Sequence, residues 1–436
     1  MMNLSRQLRE ETGYEWVMDR LSPITPFGKA MARNAKWYSP EEETALEAEL
    51  DRVSVAAALP VRSADFVVHA MSMIQDISGS LDRREGSVMD DVELFLLKSF
   101  LLTLERLVEA YDKLHAPFEG IHFLPMSRVL DILDPTQRRL GAFTTSEFDP
   151  LILNVDRREA EEREQAVRRK LTAALMPYKD TFFENFDTIG HLDLVLAKGR
   201  LAQRFHCVRP VLSADRVEAE EMVHPQIAAL VAEKGRDFTP LSLSIPKGCT
   251  VITGANMGGK SISLETLSLN VLLTQTGFFV FADKFEAPLF DRMTFLKADG
   301  QSAQQGLSSF GAEMTAVDAL LKEGKGTRFF LALDEFARGT NPQEGAALAK
   351  ALAHYLNTLD CVALMTTHYD GVSDVAACHY QVAGLDENAP GETLSEKMDY
   401  HLIPAVTGAP CPRDARKVCR LLKLTPELLE IFGESD

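Results

Sequence analysis

Thr250-Val-Ile-Thr-Gly-Ala-Asn-Met-Gly-Gly-Lys-Ser261 is the stretch on which the rest of the chain is read. Its β-branched start, Thr250 to Thr253, has the composition of a buried strand. It runs into Gly254-x-x-x-x-Gly259-Lys260-Ser261 and then into a helix-compatible segment, Ile262 to Thr276. Strand, glycine-rich turn and helix start, in that order, make a cradle for phosphate. The turn aims the backbone N–H groups of Gly254, Ala255, Asn256, Met257, Gly258 and Gly259 at an anion, and the helix start adds its positive dipole end. Lys260 is expected to reach the terminal phosphates and the Ser261 hydroxyl to bind Mg²⁺.

Two further apolar runs belong with this loop. Phe329-Phe-Leu-Ala-Leu-Asp334-Glu335 reads as a strand of a parallel sheet, buried on both faces and ending in two carboxylates. Open α/β sheets bind ligands at that end of their strands. Asp334 is therefore placed to hold Mg²⁺ and Glu335 to polarise a water for attack on a γ-phosphate. Val362-Ala-Leu-Met-Thr-Thr-His368 is a third such strand, and its terminal histidine is read as a phosphate-sensing switch. Between them lies Gln301-Ser-Ala-Gln-Gln-Gly-Leu-Ser308-Ser-Phe-Gly-Ala-Glu313-Met314, a polar loop before a helix, with Gly306 and Ser308 able to form an anion-binding turn. Gln301, after the strand-like Thr294 to Lys297, is taken as a third Mg²⁺ ligand beside Ser261 and Asp334.

The 436 residues, 46% hydrophobic and 25% charged, are ordinary for a globular protein of two or three domains. No apolar run reaches membrane-spanning length, since Lys98 interrupts the best one, Phe95 to Leu104; the N-terminus has no signal core, so a cytoplasmic location is expected. None of the six cysteines forms a Cys-x-x-Cys pair, which argues against structural zinc and a disulfide framework. The net charge of −18 weighs against tight binding to a phosphate backbone.

Residues 1–205 read as mainly helical. Ser39-Pro-Glu-Glu-Glu43 caps a helix that runs to about Ala58. Residues 63–115 look helical throughout, with Leu94, Leu97, Leu101, Leu104 and Leu107 on one face. Prolines and glycines at 116–156 mark a small irregular or hairpin insert. The interleaved charges from Arg157 to Lys170 read as a solvated helix face, with Pro177 separating it from a second helix. Residues 206–436 form an α/β nucleotide-binding domain with a helical tail, Pro412 to Phe432.

The motifs Thr-Gly-Ala-Asn-Met-Gly-Gly-Lys-Ser, Leu-Ser-Ser-Phe-x-x-Glu-Met, Leu-Asp-Glu-Phe-Ala-Arg-Gly-Thr-Asn and Thr-Thr-His-Tyr, in this order, resemble the MutS-family ATPase domain, a branch of the ABC-type ATPases. His224-Pro225 and Phe238-Thr-Pro240 are similar to the family's lead-in. The resemblance implies an α/β P-loop ATPase domain preceded by a helical core and lever, with ATP and Mg²⁺ as cofactors. It implies Phe238 against adenine, Glu335 as catalytic base, His368 as switch, and Ser308 touching the γ-phosphate of a partner subunit. Gly339, Thr340 and Asn341 would face the dimer interface, Asn341 at the nucleotide. A homodimer, or a heterodimer with a related ATPase, is thus expected. The chain is about half as long as a mismatch-repair MutS, and no mismatch-reading domain, long clamp or nuclease module is expected. Two roles stay open: a DNA-associated, mismatch-repair-related ATPase, or an ATP-driven reactivating factor for an adenosylcobalamin-dependent aminomutase, acting on a client enzyme without DNA.

Overall fold

The computed structural model describes residues 5–430 apart from 61, 85, 115–117, 135–155, 255–258, 298–308, 387–395, 413, 414, 423 and 426. The chain divides into two compact units. One comprises Leu21–Ala35 and Asp51–Leu201; the other comprises Met1–Arg20, Lys36–Leu50 and Ala202–Asp436. Two N-terminal pieces that the sequence reading places with the helical part thus belong to the α/β unit.

The helical unit is built on α1 (Asp91–Asp112), α2 (Arg157–Leu175) and α3 (Lys179–Phe205). Asp90 and Glu93 form a capping box at the start of α1, which satisfies N–H groups the helix cannot. Leu94, Leu97, Leu101, Leu104 and Leu107 are all buried in one core with Phe182, Phe186 and Leu192 of α3. Each such side chain contributes about 1.5–3 kcal/mol. Lys98 sits inside this core too, paired with Asp134 at 2.6 Å; a buried cation is tolerable only with such a partner. Further along α3, Asp193 accepts hydrogen bonds from the N–H groups of Ile24 and Thr25 and from the Thr25 hydroxyl, all at 2.7–3.0 Å.

Residues 63–115 are not helical throughout. Asp65–Ser72, Ser78–Leu81 and α1 are separate helices, and the intervening 82–90 contain Gly86 with φ +83°. Apolar spacing registers the shared face but not the breaks between segments that bury it. Part of the 116–156 insert is a helix, Ser127–Leu133, rather than a hairpin; the runs Leu140–Phe143 and Leu151–Val155 lie outside the described residues. Pro177 does separate two helices, through a short 3₁₀ turn, Met176–Tyr178.

The other unit carries two sheets. The smaller has β1 (Val211–Leu212), β2 (Arg216–Met222), β3 (Leu241–Pro246) and β5 (Lys284–Ala287), in the order β1-β5-β2-β3. The larger contains β4 (Gly248–Thr253), β6 (Arg292–Lys297), β7 (Phe329–Asp334), β8 (Cys361–Thr367), β9 (Cys378–Leu385) and β10 (Met398–Pro404), in the order β10-β9-β4-β8-β7-β6. Only β10 is antiparallel to its neighbour. Every residue of β4, β7 and β8 is buried, as near-continuous apolar runs require. Four helices accompany them: α4 (Pro225–Ala232), α5 (Lys260–Gln275), α6 (Ser309–Glu323) and α7 (Pro342–Leu356). Residues of α6 and α7 form one core with alternate residues of the central strands, among them Val251, Leu331, Leu333, Ala363 and Met365. Helix α5 contributes nothing to that core and packs on β7 and β8. The Tyr380 hydroxyl of β9 bonds both the N–H and the carbonyl of Ser244 in β3, tying the two sheets together.

His224 caps α4 and is buried. Its Nε2 faces the Thr12 carbonyl at 3.2 Å and so carries the proton, while Nδ1 accepts from Ile227 N–H. Burial pushes its pKa down to about 4 from 6.5. The unfolded chain therefore takes up the proton first as pH falls, and stability present above pH 6.5 is lost toward pH 4. Denaturant unfolding should show wild type losing about 2 kcal/mol more than His224→Asn between about pH 7.5 and about pH 5. Parallel pH profiles for the two proteins would contradict the buried neutral imidazole.

Candidate nucleotide-phosphate site

The strand order puts β8 between β4, which leads into the glycine turn, and β7, which delivers the carboxylates. Thr253 at the end of β4 lies beside Thr367, and Leu333 of β7 lies beside Met365. Three strand ends thus meet in one row above the sheet. Gly254 turns out of β4 at φ +137°, a conformation open to glycine alone, and a Cβ there would press on Val382 at 3.1 Å. Gly259 is left-handed, φ +83°, directly before Lys260 and the first turn of α5. Ala255, Asn256, Met257 and Gly258 between them lie outside the described residues, as do Gln301 and Ser308.

The Lys260 side chain is 3% exposed. Its Nζ donates to the Gly254 carbonyl at 2.5 Å and stands 4.0 Å from Glu335 Oε1. Burial lowers its pKa, opposed by Glu335 and Asp334. Asp334 is buried and accepts a 2.8 Å hydrogen bond from the Thr366 hydroxyl. The same hydroxyl accepts from Glu335 N–H at 2.8 Å. Thr366 therefore fixes both carboxylate-bearing residues from the middle strand. Glu335 has φ +51°, a left-handed backbone that costs a residue with a Cβ about 1 kcal/mol or more. Its other oxygen pairs with Arg338 at 2.7 Å.

His368 follows β8 and is exposed, with its ring 4.4 Å from that of Tyr369. Partial burial lowers its pKa, opposed by Glu335. Glu335, Lys260 and Arg338 are the charges it feels. Behind the loop, Thr253 Oγ1 meets His379 Nε2 at 2.9 Å, and the opposite ring nitrogen faces the Val406 carbonyl at 3.0 Å. The carbonyl requires the proton on Nδ1, so Nε2 accepts from Thr253. Ser261 lies in the first turn of α5. The Asn341 side chain is exposed and caps α7 by accepting from Gln343 N–H.

Phe238 lies in the segment before β3. With Ile227, Val231, Ile262, Met398 and Tyr400 it lines a cavity of about 410 Å³ that reaches Gly259. The Tyr400 ring packs over Gly259, where a Cβ would come within 3.2 Å of it. An apolar slot of this size opening onto a phosphate turn suits a nucleoside. Thr366, Arg338, Tyr400 and Met398 are contributors that the sequence reading does not single out. Thr366 could have been found from the Thr-Thr-His run, because a hydroxyl on a wholly buried strand needs a partner; nothing local marks β10.

A glycine turn before a buried lysine, with two carboxylates across an inserted strand, is an arrangement suited to holding phosphate. Residues 250–409 match the family model described as MutS domain V, the ATPase domain of that family. The similarity to the MutS family thus lies in this part of the chain. Similar proteins include one named Endonuclease MutS2 from Levilactobacillus brevis, 33% identical over 252 residues, covering 56% of this chain and 30% of that protein. Another of the same name, from Caldanaerobacter subterraneus subsp. tengcongensis, is 30% identical over 289 residues, covering 64% of this chain and 35% of its own. A third, named Putative endonuclease MutS2, is from Bacillus subtilis and is 32% identical over 251 residues. The chain thus spans about a third of the length of these relatives. No helix among the described residues is long and apolar enough to cross a membrane.

Thr366→Val keeps the side chain's shape and leaves Asp334 and Glu335 N–H without their common partner. Denaturant unfolding should report a loss of about 1–3 kcal/mol, with Thr366→Ser losing less than about 1 kcal/mol. Equal stability of Thr366→Val and wild type would contradict the bridging role.

Proposed function

We propose that the chain hydrolyses ATP to ADP and phosphate and works as a MutS-type dimer associated with DNA. The observation that carries the ATPase reading is the buried Lys260 ammonium facing the Glu335 carboxylate at 4.0 Å, next in sequence to Gly259, which lines the cavity with Phe238. That cavity accommodates a base, with Phe238 stacking on it. Lys260 Nζ donates to Gly254 O and forms a loose ion pair with Glu335, contacts it can exchange for phosphate oxygens. Its charge is offset by the Glu335 carboxylate.

Glu335 is the general base. It accepts the proton of a water whose oxygen forms a bond to the γ-phosphorus as the bond from that phosphorus to the bridging oxygen breaks. Asp334 and Ser261, with Gln301, are the oxygen donors for Mg²⁺, a hard cation that takes carboxylate, hydroxyl and amide oxygens. When bound, Mg²⁺ supplies positive charge to the phosphate oxygens. Asp334 is buried and held by Thr366, as a preorganised donor should be. His368, exposed and sensing the Glu335 charge, is a hydrogen-bonding switch that reads the terminal phosphate. Ser308 is read as serving the partner's site and Asn341 as lying toward it, so each site needs two chains.

DNA association is supported by the family and by the relatives' printed name, which describes those proteins as endonucleases. The net charge of −18 favours the other reading, a protein client driven by the same hydrolysis cycle. Glu335→Gln should keep ATP binding and lower turnover by about 10²–10⁴-fold, collecting a nucleotide-loaded dimer in size-exclusion chromatography. Unchanged turnover would remove Glu335 as base. The same variant with ATP should be retained on duplex DNA at about 50 mM salt, less so at about 150 mM. No retention at the lower salt would remove the DNA reading and leave the protein client.

A further inference from the structure

Glu335 and Ala337 are two of the four non-glycine residues with positive φ among the described residues, at +51° and +63°. Backbone of this kind persists only where the surroundings over-determine it, and it gathers at functional sites. Thr366 secures Glu335 by accepting its N–H. Two other side chains converge on Ala337, which is fully buried. Glu313 Oε2, from α6, accepts from Ala337 N–H at 3.2 Å. The Tyr369 hydroxyl, just past β8, donates to Ala337 O at 3.1 Å. The Ala337 peptide groups are thus gripped on both sides by elements that are not its sequence neighbours.

The packing leaves little slack. Helix α7 comes so close at Gly345 that a Cβ there would lie 2.6 Å from the Tyr369 hydroxyl oxygen and 2.9 Å from Ala337 O. Tyr369 keeps its proton, because burial and the nearby Glu313 and Glu335 carboxylates raise its pKa. Neither Glu313 nor Tyr369 reaches the phosphate turn through a hydrogen bond or ion pair described above. Their reach is to the backbone that carries the base.

We infer that Glu313 and Tyr369 are positioning residues that clamp the Ala337 peptide groups and thereby aim Glu335 at the space before Lys260. This rests on the reading of Glu335 as general base. The clamp also makes the base answerable to α6. When α6 is seated, Glu313 supplies the acceptor that a left-handed Ala337 needs. When α6 shifts, the acceptor is withdrawn, the turn relaxes toward ordinary backbone, and hydrolysis falls while Lys260 keeps its grip on nucleotide. Hydrolysis is therefore gated separately from binding.

The test is steady-state ATP hydrolysis and equilibrium ATP binding by the full chain, for wild type, Glu313→Ala, Glu313→Gln and Tyr369→Phe. Glu313→Ala should lower kcat by about tenfold or more, with KM and nucleotide affinity within about twofold of wild type. Glu313→Gln retains an oxygen acceptor and should recover kcat to within about threefold of wild type. Tyr369→Phe loses only the hydroxyl and should lower kcat by about threefold to tenfold; it carries the test if Glu313→Ala does not fold. Wild-type kcat in both Glu313→Ala and Tyr369→Phe overturns the clamp alone. So does equal loss in Glu313→Gln and Glu313→Ala, or a change confined to KM. A wild-type protein that turns over no ATP overturns the reading of Glu335, and the clamp with it.

Discussion

A lysine ammonium buried at the end of a parallel sheet sets the terms for everything around it. Withdrawing that charge from water costs several kcal/mol. The pairing of Lys260 with Glu335 at 4.0 Å returns about 4 kcal/mol at an effective dielectric of about 20. The pairing offsets part of that cost, with burial the larger effect, so the pair is not a strong structural brace. A group so paired can exchange partners readily. The Gly254 carbonyl holds one donor in the meantime and keeps the side chain extended along the turn. A polyanion entering this space would meet a cation already stripped of water and a turn whose glycines leave the backbone open.

The geometry depends on which strand lies where. With β8 inserted between β4 and β7, the hydroxyl of Thr366 falls between the glycine turn and the two carboxylates. A single side chain then settles both Asp334 and the backbone of Glu335. If β4 and β7 were neighbours, no residue would occupy that position, and the left-handed Glu335 would lack its anchor. The strain in the 335–337 turn is thus held by a middle strand and by α6, both far from it in sequence.

Much of this was written locally in the sequence, and the rest was not. The glycine turn is legible because its glycines have backbone angles that few other residues tolerate. Strands β4, β7 and β8 are legible because strands buried on both faces leave unbroken apolar runs. Lys98 looks like an interruption of such a run in α1, and only the fold shows that Asp134 is there to meet it. The breaks between helices in 63–115 are hidden because apolar spacing records a shared face, not continuity. Strand order, Tyr400 over Gly259, and Glu313 under Ala337 depend on tertiary pairings with no local signature. The same is true of the inclusion of Met1–Arg20 and Lys36–Leu50 in the α/β unit, where buried His224 meets Thr12.

The match of residues 250–409 to MutS domain V and the geometry around Lys260 bear on the same question. The most direct test is a crystal structure with Mg²⁺ and a non-hydrolysable ATP analogue. The account predicts that Lys260 Nζ has left the Gly254 carbonyl for the terminal phosphate, with Glu335 facing the same group across a water and the base lying against Phe238. An analogue bound elsewhere, or bound while Lys260 still points at Gly254, would contradict it.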